Sequence, residues 1–190
     1  MNRLLKDIAQ IRSGYPFRKG IEDVPDGDYR VVQIKDLEEG GVSSVGNFIQ
    51  TNLSDVRADY LLKKGDVLFA SRGERRRAAV VEEYLPNTIF SSQLLACATD
   101  ESVLPAYLAW YINQQPAQRY LDENATGSYI RNVTKDAFGH LLVPVPPLET
   151  QRKIVEIYRL GLRENQLLEE IRKKRGQLVE LALLQSIHKP

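Results

Sequence analysis

Gly65-Asp-Val-Leu-Phe-Ala-Ser-Arg-Gly-Glu-Arg-Arg-Arg-Ala-Ala-Val-Val81 (GDVLFASRGERRRAAVV) is the stretch whose reading decides the fold. Residues 66–71 form an apolar run too short for a helix and bounded by Gly65 and Gly73, so they read as a buried strand. Residues 78–81 read as the next strand. The connection holds four arginines in six positions, Arg72, Arg75, Arg76 and Arg77.

Working outward, residues 29–34 form a β-rich run after the turn at Pro25-Asp-Gly27, and Gly40-Gly41 marks a further turn. Residues 88–99 supply one or two more strands after the turn Leu85-Pro-Asn87. Beyond Pro105 the apolar spacing becomes helical over 106–113, with the proline at the first helical position. A second helical piece follows at 117–122, and residues 125–133, around Gly127, read as a loop. Thr134 can cap a short helix ending near Phe138. Residues 141–147 are extended, because each residue before a proline is pushed out of the α region.

From 149 to 187 no proline interrupts a helical pattern. Such a helix is roughly 58 Å long at ~1.5 Å per residue. An apolar seam runs through Ile157, Leu160, Leu167, Ile171, Leu178 and Leu181, widened by Leu168 and Leu184 and interrupted by Glu164, Lys174 and Gln185. Gly161 and Gly176 each cost the helix ~1 kcal/mol against alanine. A lone helix of this kind is marginal without packing. The chain offers no second long helix, so the expected partner is another chain. The expected fold class is therefore α+β: a mixed α/β domain over 1–147, then a single long helix over 148–190 that pairs as an antiparallel coiled coil.

Composition sets the class. Of the 190 residues 43% are hydrophobic and 27% charged, values typical of a globular domain. No apolar run approaches the ~18–20 residues of a bilayer helix. The opening MNRLLKDIAQIRSG has no signal-peptide core, and the lone Cys97 excludes an internal disulfide. The expected location is cytoplasmic, with no membrane partner. Residues 1–148 hold 17 basic and 19 acidic side chains, and residues 149–190 hold 9 and 6. Bulk charge does not make either part a nucleic-acid binder, so any affinity for phosphate rests on local clusters.

Enzyme chemistry finds little support. His140 and His188 stand far apart without cysteine neighbours, so no metal-ligand spacing is present. GGVSSVG lacks the lysine and the strand–helix setting of a phosphate loop. Asp26 with Lys35 has the outline of a metal-nuclease pattern but lacks the middle carboxylate. Cys97, inside LLACA, reads as a small buried hydrophobe rather than a nucleophile.

Three readings fit the arginine cluster: a solvated turn, a set of partners for the domain's carboxylates, or contacts to phosphates and base edges. The last suits arginine, whose fork binds phosphate or guanine bidentately, and Gly73 permits close approach. Ser128, Tyr129, Arg131 and Asn132 form a second polar group of the same character, and Arg18-Lys19 a third.

Several segments, in order, resemble the specificity (S) subunits of type I restriction–modification systems. They are LLKDIAQIRSG, YRVVQIKDLEEGGV, LKKGDVLFASRG, FSSQLLACAT, LPAYLAWYINQQPAQRYL, ATGSYIRNVTKDAFGHLLVPVPPLETQRKIVEI and the terminal helix. The most specific are Gly65 to Gly73 and the Val145-Pro-Pro-Leu-Glu-Thr-Gln151 run into the helix. The resemblance implies a target recognition domain and a spacer helix that bind double-stranded DNA without catalysis. It implies a DNA methyltransferase (modification) subunit as partner, which would carry S-adenosylmethionine, and through it a restriction subunit; this chain itself takes no cofactor and no metal. In the family, two such domain–helix units usually share one chain. The single unit here resembles a half-size subunit and implies a homodimer with antiparallel helices. Its DNA-binding residues would be Arg18, Lys19, Arg72, Gly73, Arg75, Arg76, Arg77, Ser128, Tyr129, Arg131 and Asn132. The alternatives are a coiled-coil protein adaptor, an antagonist subunit that occupies methyltransferase without DNA specificity of its own, and a nuclease using Asp26 and Lys35.

Overall fold

The computed structural model describes residues 1–38, 41–42, 48–73, 76–127 and 131–187, with only the backbone at Gln185. In chain order the strands are β1 (Asn2–Leu4), β2 (Ala9–Ser13), β3 (Tyr29–Val32), β4 (Leu37–Glu38), β5 (Gly41–Val42), β6 (Ile49–Thr51), β7 (Val67–Ala70), β8 (Ala78–Val80), β9 (Thr88–Phe90) and β10 (Leu94–Thr99). Then come helices α1 (Pro105–Ile112), α2 (Gln115–Glu123) and α3 (Lys135–Gly139), strand β11 (Leu142–Pro144) and the 40-residue helix α4 (Leu148–Ile187). The chain divides into two compact units, Met1–Val155 and Glu156–Pro190.

The first unit is organised by a four-stranded antiparallel sheet in the order β2-β10-β7-β8. Alternation along each strand explains why the opening stretch is apolar throughout rather than every second residue. Val67 and Phe69 face one core with Leu95, Cys97 and Ala78; Leu68 and Ala70 face the other with Leu94, Ala96 and Ala79. On the first face, α1 and α2 contribute Leu108, Ile112 and Leu121, and α3 stacks Phe138 on Phe69 with ring centroids 4.3 Å apart. The second face is covered by Val32 of β3 and Phe90 of β9 together with Leu37, Phe48 and Leu62. There β3 lies between β6, antiparallel, and β9, parallel. A short β1–β11 pair joins the chain start to the residues preceding α4.

Residues 29–34 do not run as one strand. β3 ends at Val32, and Ile34–Asp36 form a 3₁₀ turn in which the Asp36 carboxylate accepts from Gln33 N at 2.8 Å. A short acidic side chain offers the backbone a partner that competes with strand pairing. Cys97 is fully buried, and burial pushes its thiol pKa up, away from the reactive thiolate. Asp26 and Lys35 are both exposed. Among the described residues no His, Cys, Asp and Glu cluster is placed to hold a metal. His140 bonds Asp136 O through Nδ1 (2.9 Å) and meets Lys6 Nζ through Nε2 (2.7 Å).

The start of α4 is fastened to the first unit by Gln151, whose side chain has no solvent exposure. Its Oε1 accepts from Leu104 N at 2.9 Å, and its Nε2 donates to Ser102 O and Pro146 O, both at 2.8 Å. Leu104 is the residue before α1, so this one amide also satisfies a backbone donor at a helix start. Val155, one turn on, joins the first core.

In the second unit the seam positions Ile157, Leu160, Leu167, Leu168, Ile171, Leu178, Leu181 and Leu184 are 41% to 71% exposed, as are Val179 and Leu183 off the seam. Glu169 and Arg172 form an exposed i,i+3 pair at 2.8 Å. Among the described residues no helix is long and apolar enough to cross a membrane.

Gln151→Leu leaves Leu104 N, Ser102 O and Pro146 O without their partner. The expected loss in a urea titration is at least about 2 kcal/mol, because each buried group left unpaired costs about 1–3 kcal/mol.

Candidate nucleic-acid interface

The connection between β7 and β8 closes on a backbone bond from Ala70 N to Arg77 O at 2.9 Å. Its far end is held by Asn113, which follows α1. The Asn113 amide accepts from Ala78 N (2.8 Å) and donates to Ala78 O (2.9 Å), pairing the edge of β8 as a neighbouring strand would.

The four arginines fare differently. Arg72 is exposed and its backbone forms an antiparallel bridge with Asn132. Gly73 has φ +91° and nothing within 4 Å of where a Cβ would sit, so it combines a glycine conformation with an open approach. Arg77 is half-buried. Arg75 lies outside the described residues. Arg76 is turned inward: its side chain is 3% exposed and ion-paired with Asp122 in the last turn of α2. Its backbone oxygen accepts from Gln118 Nε2 at 2.8 Å. Burial, assisted by the charge of Arg131, lowers the Arg76 pKa from the usual guanidinium value.

The second polar group, some fifty residues later, comes to the same place. Thr126 and Asn132 exchange backbone hydrogen bonds of 2.9 and 2.8 Å, closing a loop at Gly127, whose φ is +105°. Val133 N then donates to Ser71 O at 2.8 Å, tying this loop to the end of β7. Arg131 is exposed and its Nη2 donates to Asp122 O at 2.8 Å. Asp122 thus binds both groups, one through its carboxylate and the other through its carbonyl. The two cations at the end of α2 also complement its negative dipole end. Ser128 and Tyr129 lie outside the described residues.

Arg18 and Lys19 are exposed and follow β2. Tyr15 anchors this segment: its N donates to Phe90 O (2.7 Å) and its O accepts from Ser92 N (3.0 Å). Gly14 makes the approach possible, since a Cβ there would sit 2.1 Å from Ser91 O. On the other side of the same 91–93 turn, Ser71 N donates to Gln93 O at 3.0 Å and Ser71 Oγ at 2.9 Å. The antiparallel order places the ends of β2 and β7 and the starts of β10 and β8 together. Arg72, Arg77, Asn132 and Tyr15, which precedes Arg18 and Lys19, therefore stand at one end of the four-stranded sheet.

Sequence reading missed Asp122, which looks like one more acid on a helix, and the 91–93 turn, which carries no charge. It also gave no weight to Arg57, whose guanidinium lies 4.8 Å over the Tyr60 ring. The i,i+3 spacing of arginine and tyrosine was the available signal.

The family model for the type I restriction modification DNA specificity domain matches residues 1–174. Among solved structures, the HsdS subunit from Thermoanaerobacter tengcongensis superposes with a TM-score of 0.63 at 18% identity, over 90% of this chain and 39% of that one. The type I restriction–modification system S subunit from M. genitalium gives 0.60 at 15% identity, over 92% and 42%. A third structure, from work on complex assembly and conformational transition of the type I R-M system, gives 0.61 at 20% identity, over 98% and 43%. The chain therefore spans about two fifths of the length of these relatives. At these identities the likeness is one of fold. The comparison with curated proteins gave no match.

Arg76→Ala is expected to lower the unfolding free energy by about 1–3 kcal/mol, since it removes a buried guanidinium and unpairs Asp122. Arg72→Ala is expected to stay within about 0.5 kcal/mol, as exposed substitutions usually do. Thermal melts of the two variants beside the parent check the contrast.

Proposed function

The chain belongs to the type I restriction modification DNA specificity domain family, and from that premise we propose that it is the non-catalytic, sequence-specific DNA-recognition subunit of a type I enzyme. Residues 1–147 form the target recognition domain, and residues 148–190 the spacer and dimerisation helix. The chain acts in the cytoplasm, recruits methyltransferase subunits to a bipartite DNA target and, through them, a restriction subunit.

The observation that carries this reading is the convergence of two arginine-bearing loops at one sheet end, joined by the Arg72–Asn132 bridge and by Asp122. Duplex DNA needs cations for its phosphates and directed polar groups for its base edges, both on a firm support. Arg72, Arg77 and Arg131 point the reading at phosphate and base edges, with Gly73 allowing close approach and Asn132 beside them. Arg18 and Lys19 follow Tyr15 onto the same surface, and the DNA-binding assignment of Arg75, Ser128 and Tyr129 rests on the sequence alone. Arg76 serves the interface from behind, as the anchor of its loop.

The exposed seam of α4 supports a second chain as its cover, because a soluble protein rarely leaves such an apolar stripe open. Two copies pairing antiparallel have two-fold symmetry, and a two-fold protein reads inverted half-sites. The target is then an interrupted palindrome.

Selection from random-sequence DNA, with the chain assembled on its methyltransferase subunit, is expected to enrich such a palindrome. An asymmetric sequence would contradict the symmetric dimer. No enrichment by a verified assembly would favour the protein-adaptor reading, to which the near-neutral charge of residues 1–148 already lends itself. Separately, Leu167→Glu combined with Leu178→Glu is expected to shift the chain from dimer to monomer in sedimentation velocity at micromolar concentration, with the circular dichroism of the first unit retained.

A further inference from the structure

The contacts that fix the 91–93 turn do not stop there. On one side the turn is bonded to Ser71, next to Arg72. On the other it is bonded to Tyr15, whose ring packs edge-on against Phe17 (4.8 Å) and Tyr60 (5.2 Å). Tyr60 in turn carries Arg57, stacked on its face and donating from Nη2 to the tyrosine hydroxyl at 2.8 Å. An unbroken line of contacts thus runs from Asn132 through Arg72, Ser71, the turn, Tyr15 and Tyr60 to Arg57.

Two side chains on this line have chemistry that the fold itself does not use. Gln93 is exposed, and among the described residues its amide makes no hydrogen bond. Its backbone is held tightly: its carbonyl takes two bonds from Ser71, and Leu94 N donates to Ser91 O at 2.9 Å. A rigid backbone under a free primary amide differs from an ordinary solvated turn, where both move. The amide offers a donor and an acceptor side by side, the pair that matches N7 and N6 of adenine in the major groove. Arg57 is exposed and, among the described residues, has no carboxylate partner. Stacking and the tyrosine hydroxyl hold its planar fork in place, so little side-chain freedom is lost when it meets a ligand.

We propose that the DNA interface continues across the 91–93 turn to Arg57, with Gln93 reading a base edge and Arg57 holding a backbone phosphate. This rests on the DNA-recognition reading above and assigns two residues within it. The cations on either side, Arg72 on one and Arg18, Lys19 and Arg57 on the other, draw the phosphates in. The uncharged amide between them is left for the groove.

The test uses the full chain assembled on its methyltransferase subunit, with random-sequence selection and a salt titration of affinity for the selected DNA. Gln93→Ala is expected to weaken binding to the selected DNA by roughly 5- to 150-fold and to lose the same factor of discrimination at one base pair per half-site, the value of one bidentate contact, with affinity for non-selected DNA and the salt slope unchanged. Gln93→Glu, which can only accept, is expected to move the preference at that position toward cytosine. Arg57→Ala is expected to weaken all sequences alike and to reduce the slope of log affinity against log salt by about 0.9 per lost phosphate contact. Unchanged selectivity in both Gln93 variants overturns the base-reading assignment, and an unchanged slope for Arg57→Ala overturns the phosphate assignment. In either case, loss of binding in the triple variant Arg72→Ala, Arg77→Ala, Arg131→Ala leaves the broader reading standing. Should the triple variant bind like the parent, the broader reading falls as well.

Discussion

The pairing of Arg76 with Asp122 is the constraint on which the candidate interface depends. A guanidinium removed from water needs an anion, because the desolvation cost of an unmatched charge exceeds what packing of its stem returns. Asp122 meets that need at moderate cost to itself, since its own side chain remains 58% exposed. The pair fixes the end of α2 against the loop after β7. That placement lets the Asp122 carbonyl receive Arg131 and sets Asn132 beside Arg72. One carboxylic residue therefore organises two arginine-bearing loops that the chain keeps some fifty residues apart.

Behind the loops lies a sheet whose two inner strands, β7 and β10, are covered on both faces. A strand packed on both sides has little freedom to slip, because a one-residue shift would exchange every side chain between two differently shaped cores. Loops that leave such strands are mobile only as far as their own bonds allow. Here those bonds are numerous: Ser71 on Gln93 and Val133, Ala78 on Asn113, and Tyr15 on Phe90 and Ser92. The proposed reading of base pairs would require such support, since misplacement of a hydrogen-bonding group by about 1 Å forfeits the contact.

Gln151 does for the helix what Asp122 does for the loops. It is a polar residue in the first turns of α4, buried, with three backbone partners and no charge to neutralise. The Pro-Pro pair before it keeps the chain extended up to the helix start, and the amide then fastens the opening turns to the first unit. Beyond Val155 the helix has a different composition, with apolar side chains left open to solvent.

Sequence by itself determined the main elements, though not where β3 stops at Val32. The unbroken apolar runs at β7, β8 and β10, the proline that opens α1, the Thr134 cap of α3 and the proline-free 40-residue helix are each written in local spacing, and local spacing sets backbone conformation. It also exposed the polar groups as separate clusters. What only tertiary structure decided was which of them meet, and which arginine turns inward. Arg76 looks the same as Arg72 and Arg77 in the sequence; its burial follows from the position of Asp122, on a helix more than forty residues away. Gln93 was illegible for the same reason, since it carries no local signal; Arg57 had only its i,i+3 spacing to Tyr60, and pairing across the sheet end is what brings both into line with the arginines. Long-range contacts between polar groups leave no periodicity in the chain, so no reading of spacing could have found them.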